Sequence, residues 1–319
     1  MTQGPASDPP EAIEHLGAYA PLPFSEHYHG SIWHFTDSRA LISMVEKRQL
    51  WATAATMLND PEELAYGARR IIDWFNNQPN ESSLHAALRT QMQYVLDDDF
   101  IEWVLENPAY VVCASTHYRV LNQWRNYGST KGVAVKLDAH AEYIPSNPPR
   151  MTGFLLVPQW VTVEYDPDRQ DKRIERVLSK IAEGNLKPLL ESSQPGAAST
   201  LVRGVLASLA ASMKDSAYAE EQEVRLISYL PVGYRPKHRG SDRGVIPYIE
   251  ITHHENYGWA LAGLDALANS LAPLPIEEVR VGPPDGDSEA QRIVGVTSLL
   301  RANGSKARVL GSTIRYLPA

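Results

Sequence analysis

Strand-length apolar runs recur along this chain without the evenly spaced helices that a parallel sheet needs between its strands, and that spacing is the strongest constraint on its fold. Tyr110 to Ala114 is a continuous apolar run, and Gly132 to Asp138 alternates, with Val133, Val135 and Leu137 against Ala134, Lys136 and Asp138. Ile32 to Phe35, Leu50 to Ala52, Gly153 to Tyr165, Glu221 to Leu230, Val245 to Ile251, Glu277 to Gly282 and Ala307 to Leu310 read as further strands. Helical signals interrupt them irregularly. Asp37 and Ser38 offer caps for a helix whose apolar face is Leu41, Met44 and Val45. Asp60-Pro61-Glu62-Glu63 combines a capping acid, a proline at the first position and acids in the first turn. Two helices are expected from Pro61 to Glu106, broken near Pro79-Asn80, with others over Asp171 to Ala182, Thr200 to Met213 and Ser288 to Arg301. The expected class is α+β, with a central mixed or antiparallel sheet and helical insertions. Residues 1–30 carry Pro5, Pro9, Pro10, Pro21 and Pro23 and read as an extended arm; residues 31–319 read as a single α+β domain with a helical insertion at 61–106.

Composition narrows the function classes. The 319 residues are 43% hydrophobic and 21% charged, which excludes a wholly disordered or collagen-like chain. No apolar run approaches the roughly 20 residues needed to span a bilayer; the most apolar late stretch, Gly258 to Leu274, is cut by Asp265, Asn269 and Ser270. The first thirty residues lack a basic start followed by an apolar core, so no secretion signal is expected. One cysteine, Cys113, excludes an internal disulfide and a cysteine-built zinc site, and a reducing cytoplasm fits best. Within its apolar run Cys113 is expected to be inert. A formal charge of −8 disfavours bulk coating of nucleic acid but not action on a base or an end.

The chain has no Gly-rich dinucleotide turn, P-loop, nucleophile elbow or His-Glu-x-x-His helix. Its one metal-like pattern, His27-x-His29 with His34 nearby, has no matching carboxylate cluster, so no metal site is expected. More informative are His34 at the end of the first strand, Asn59-Asp60 at a helix start, Ser115 at a strand end, Gln123-Trp124-x-x-Tyr127-Gly128, and Glu221-x-Glu223-x-Arg225 on a late strand. At strand period two, Glu221, Glu223 and Arg225 share one face and Val224 and Leu226 the other. Three charges on one strand face are either solvated or gathered around a ligand. Each residue also has a structural reading: His34 as a hydrogen-bonded half-buried side chain, Asp60 as a cap, Trp124 and Tyr127 as core, Glu223 and Arg225 as a pair along the strand. The basic loop Arg235 to Arg243 reads as a mobile insertion, either solvated or binding phosphate or nucleic acid. Glu191 to Ala198 reads as a second mobile loop.

These words, in this order, resemble the bacterial family known as domain of unknown function 2971. The resemblance runs from Trp33-His34-Phe35-Thr36 through Leu58-Asn59-Asp60-Pro61, Gln123 to Gly128 and Glu220 to Ile227, and on to Gly311 to Tyr316. A His-Phe-Thr strand start with a glutamate on a late strand also resembles the ADP-ribosyltransferase fold, in the branch that modifies nucleic-acid bases and opens on a Tyr-His-Phe-Thr-like word; here Trp33 replaces the tyrosine. That resemblance implies a split sheet and NAD as substrate. It implies catalytic roles for Glu223, His34 and Tyr127, with the middle position open between Ser115 and Tyr127. Cofactor contacts would come from Thr36, Asn59, Asp60, Ser115, Trp124, Arg125 and Arg225. Glu221 resembles a paired-glutamate word that goes with the acceptor. The reading it implies is transfer of ADP-ribose to a nucleic-acid or protein acceptor, in phage defence or a toxin system. The alternatives are a nucleotide-binding sensor without turnover, and an NAD glycohydrolase or nuclease-like toxin. The oligomeric state is left open.

Overall fold

The structure is a computed structural model that describes residues 19–21, 27–78, 92, 95–128, 132–146, 155–183, 195–230, 235–241, 243–254, 271–282 and 289–314. In chain order the strands are β1 (Tyr19–Pro21), β2 (Ile32–Thr36), β3 (Gln49–Ala54), β4 (Tyr110–Ser115), β5 (Val133–Leu137), β6 (Tyr143–Pro145), β7 (Leu155–Val157), β8 (Gln159–Thr162), β9 (Glu223–Ser228), β10 (Lys237–Ser241), β11 (Gly244–His254), β12 (Leu271–Ala272), β13 (Ile276–Val281) and β14 (Arg308–Gly311). The helices are α1 (Ser38–Lys47), α2 (Glu63–Asn76), α3 (Phe100–Glu106), α4 (Pro167–Glu183), α5 (Pro195–Ala210) and α6 (Glu289–Ala302). A short turn at Leu121–Gln123 runs into a π-helical turn at Trp124–Gly128.

Among the described residues twelve strands join one mixed sheet, in which β13 and β14 run parallel and the other pairs antiparallel. β1 and β7 form a separate parallel pair. The expected α+β class with a mixed sheet is what the described residues form. β4 is the hinge of the sheet. One edge pairs along its whole length with β9, from Tyr110↔Ser228 to Ser115↔Glu223. The other edge is shared: β3 takes Tyr110 and Val111, β2 meets it only at Trp33↔Ser115, and the middle of the strand has no ladder partner on that side. β2 continues into β5, β13 and β14, and β3 into β11 and β10, so the sheet forks at β4.

Helices cover both faces, each for a reason visible in its pattern. Val111, Val161 and Ile227 lie under α2, α3, α4 and α5, against side chains such as Leu64, Ile71, Phe100, Leu178 and Leu206. Val112, Val135, Leu226 and Ile251 face Leu41, Met44 and Val45 of α1 and Leu300 of α6. α1 is capped as its sequence indicates, with Asp37 accepting from the Ala40 N–H at 2.7 Å, and it ends at Arg48 with φ of 55°. Other bounds move. α2 begins at Glu63 rather than Pro61, because Asp60 accepts from the Glu62 N–H at 3.0 Å and closes a turn first. The long, broken strand region expected over Gly153 to Tyr165 is β7 and β8. The basic stretch expected as a loop is an edge strand, β10, paired from Lys237↔Tyr248 to Ser241↔Gly244. Most of the Pro-rich arm, the break at Pro79-Asn80, residues 191–194 and most of Gly258 to Leu274 lie outside the described residues, while Pro195 to Ala198, expected in a mobile loop, open α5. No helix among the described residues is long and apolar enough to cross a membrane.

One close helix contact rests on a glycine. A Cβ at Gly67 of α2 would stand 2.3 Å from the carbonyl oxygen of Ala210 at the end of α5. Alanine favours a helix interior by about 1 kcal/mol over glycine, but overpacking of this kind costs about 1–3 kcal/mol. Gly67→Ala is therefore expected to lower the urea midpoint, and an unchanged or raised midpoint would show that α2 and α5 can separate freely.

Candidate functional site

The fork at β4 opens a cavity of about 330 Å³. β2 contributes His34, Phe35 and Thr36, and β3 contributes Trp51 and Thr53. The free middle of β4 contributes Cys113, and Asn59 and Tyr127 reach it from the loops that follow β3 and β4. His34 spans the opening, its Nδ1 lying 2.7 Å from the Cys113 carbonyl oxygen. A carbonyl only accepts, so Nδ1 carries the hydrogen and Nε2 of the neutral ring is an acceptor. Burial holds the imidazole below its ordinary pKa, against the Cys113 hydrogen bond and with added help from the Arg239 charge. Asn59 Nδ2 donates to the Tyr127 hydroxyl. Tyr127 is 37% exposed, and its phenol is pushed well above its ordinary pKa by desolvation and then by Cys113, Glu223 and Glu221.

Behind the Cys113 wall lies a buried ionic cluster. Cys113 stands opposite Arg225 and Ser115 opposite Glu223 across the β4–β9 ladder, which puts these side chains on the face covered by α2 to α5. Arg225, 1% exposed, pairs with Glu223 at 2.6 Å and with Glu63, and donates to the Ala211 carbonyl at 2.8 Å. Lys214 reaches Glu221 at 2.7 Å, Glu63 at 3.1 Å and Glu223 at 3.8 Å. Burial alone would raise the Glu223 carboxyl, but the Arg225 guanidinium first, then Lys214 and the Cys113 thiol, bring it below its ordinary value. The thiol itself is pushed well up by burial and by the Glu223 charge. The charged strand face is thus not solvated: Glu63 and Lys214 close it, and Cys113 stands between it and the cavity. Glu223 is 5% exposed and does not itself line the cavity.

The remaining residues singled out from the sequence divide. Thr36 and Asn59 line the cavity together with His34 and Tyr127. Trp124 is fully buried, packs edge-on against Phe35 at 5.1 Å and donates Nε1–H to the Tyr118 carbonyl at 2.6 Å, so its ring serves the core. Ser115 donates to the Glu221 carbonyl at 3.0 Å. Asp60 closes the turn before α2, and Arg125 is exposed outside the cavity. His27, His29 and His140 stack with ring centroids 5.9 and 4.8 Å apart, while His34 belongs to the fork. No cluster of three or more His, Cys, Asp or Glu suited to a metal occurs among the described residues. Glu63 and Lys214 went unassigned in the sequence because their partners are distant along the chain. Glu63 read as a first-turn acid, and Lys214 carried no signal beyond its charge.

A family model described as protein of unknown function (DUF2971) matches residues 123–226, about a third of the chain. Over this segment the chain is similar to that family. The match contains Tyr127, Lys214, Glu223 and Arg225, whereas His34, Asn59 and Glu63 precede it. No curated protein and no solved structure matches the chain.

The lowered carboxyl of Glu223 fixes the sign of one pH effect. Its contribution to stability is complete above its ordinary value near 4.5 and is lost as the pH falls through the lower folded value. The urea midpoint of the wild type is therefore expected to drop on acidification below about pH 4.5, and the drop to be smaller in Glu223→Gln. Equal pH slopes for the two proteins between pH 7 and 3 would contradict the assignment.

Proposed function

We propose that this protein binds NAD in the β2–β3–β4 fork and transfers ADP-ribose to a macromolecular acceptor, nucleic acid or protein, with Glu223 as the residue that stabilises the reacting ribose. The observation that carries this reading is the fork itself. His34, Thr36, Asn59 and Tyr127 line one cavity, and an ionised carboxylate lies one side chain behind its Cys113 wall. A cavity of about 330 Å³ is at the small end for a ligand pocket, so it would take one half of the dinucleotide and leave the other at its opening.

The chemistry asks for little beyond these groups. Cleavage of the nicotinamide–ribose bond sends the bonding pair to the ring nitrogen, which becomes neutral, and leaves oxocarbenium character on the sugar. The acceptor's nucleophile forms the new bond to that carbon and passes its proton to water. A carboxylate held ionised by Arg225 and Lys214 opposes the developing positive charge. Nε2 of His34 would accept from a ribose hydroxyl, and the Tyr127 hydroxyl, already an acceptor from Asn59, keeps its own hydrogen to donate. The activity would suit a toxin or a phage-defence enzyme.

A second reading has its own observation. The Glu223 carboxylate is enclosed by Arg225, Lys214 and Cys113, as a purely structural charge would be, which favours nucleotide binding without turnover. Nicotinamide release separates the two. Purified protein with NAD and cell extract is expected to release nicotinamide, and Glu223→Gln to lower the rate at least about 100-fold, with its thermal melt showing that the variant is folded. Undiminished release by a folded Glu223→Gln protein would falsify the catalytic role. Nucleotide binding without any release would establish the sensor reading instead.

A further inference from the structure

The fork has a basic wall that the proposed reaction does not use. Arg239 of β10 and Arg243, in the turn between β10 and β11, both line the cavity. Each keeps one tie to the protein: Arg239 Nη2 donates to the Thr53 hydroxyl at 3.0 Å, and Arg243 Nη1 to the Leu58 carbonyl at 3.0 Å. Neither has a carboxylate within ion-pair distance among the described residues. Among the described residues the one acid lining the cavity, Asp37, is turned to the Ala40 N–H as the cap of α1. Arg239 is also held in place. Its guanidinium carbon lies 5.6 Å from the Trp51 ring and 6.0 Å from that of Tyr248, and its Nε is buried without a hydrogen-bond partner. Burial, joined by the like charge of Arg243, depresses its pKa despite the opposing influence of Tyr248.

Two guanidiniums that repel each other beside one cavity, one of them stacked and with an unpartnered buried N–H, make an unfavourable arrangement unless an anion completes it. We infer that Arg239 and Arg243 form a diphosphate subsite of the fork, which takes the diphosphate of a nucleotide. A concave cavity of this size takes a discrete small anion rather than a polymer, and a chain of net charge −8 does not attract polyanions in bulk. Two arginine forks match two phosphate groups. The neighbouring neutral His34, Asn59 and Tyr127 supply acceptors and donors of the kind a sugar requires. As the diphosphate end of a dinucleotide the subsite rests on the proposed NAD reading, but diphosphate binding is measurable without turnover.

The test is calorimetric titration of the full chain with ADP, inorganic pyrophosphate and adenosine at fixed low salt. ADP is expected to bind, adenosine to bind at least about tenfold more weakly, and Arg243→Gln to weaken ADP about tenfold or more while leaving adenosine unchanged. Arg243 is exposed, so that variant keeps the fold; Arg239→Lys, which retains charge but loses the fork, is expected to lose ADP affinity as well. Pyrophosphate binding as tightly as ADP would support the subsite and assign it to phosphate alone. Equal affinity for ADP and adenosine, wild-type ADP affinity in both variants, or no ADP binding at millimolar concentration would overturn it. Absence of nicotinamide release with ADP binding intact would remove the transfer reaction and leave the subsite standing.

Discussion

Arg225 is a cation enclosed between a sheet and a helix layer, and most of what is distinctive in this fold follows from satisfying it. Removing a guanidinium from water costs several kcal/mol unless charges and hydrogen bonds replace the solvent. Here Glu223 from the same strand, Glu63 from the first turn of α2 and the Ala211 carbonyl after α5 do so. The three partners tie β9, α2 and the end of α5 to one point, and Lys214 bridges the same carboxylates. Such a cluster adds little net stability over a well-packed apolar core, but it is exacting about register. A one-residue slip of β9 would turn Arg225 and Glu223 towards Val135 and Leu50 on the other face, away from all their partners.

The fork is the second consequence of using one strand's edges unequally. β9 saturates one edge of β4, and β2 and β3 diverge along the other, which leaves a stretch of backbone that must find partners elsewhere. His34 satisfies the Cys113 carbonyl, and the space around that contact is the cavity. Backbone satisfaction and site formation are therefore the same event. The polar groups that line the opening are fixed by the sheet, while the charge that would act on a ligand is fixed by the cluster behind it.

Much of this was legible in the sequence where the signal is local. The alternation of Val133, Val135 and Leu137, the Asp37 cap and the shared face of Glu223 and Arg225 appear in the structure as the periodicities imply, but Glu221, expected on that same strand face, ends a 3-10 turn (Ser216–Glu221) before β9 begins. What closes the charged face was not legible, because Glu63 and Lys214 reach it through tertiary contacts, and a first-turn acid looks the same whether it faces solvent or a buried arginine. β10 was hidden for a different reason: Lys237-His238-Arg239-Gly240-Ser241 has no apolar alternation, since an edge strand with both faces polar needs none. Trp124 illustrates the limit of residue type as a guide. An indole beside a site is equally suited to stack on a ligand or to fill a core, and here Phe35 and the Tyr118 carbonyl claim it.

A nucleotide bound in the fork as proposed would lie against β2, β4 and the β10–β11 hairpin. Amide hydrogen exchange of the full chain with and without saturating NAD tests it most directly. Added protection is expected in Trp33–Thr36, Val112–Ser115 and Lys237–Ser241, with α6 unchanged. Protection elsewhere with none in these three segments, or no change at all, would contradict it.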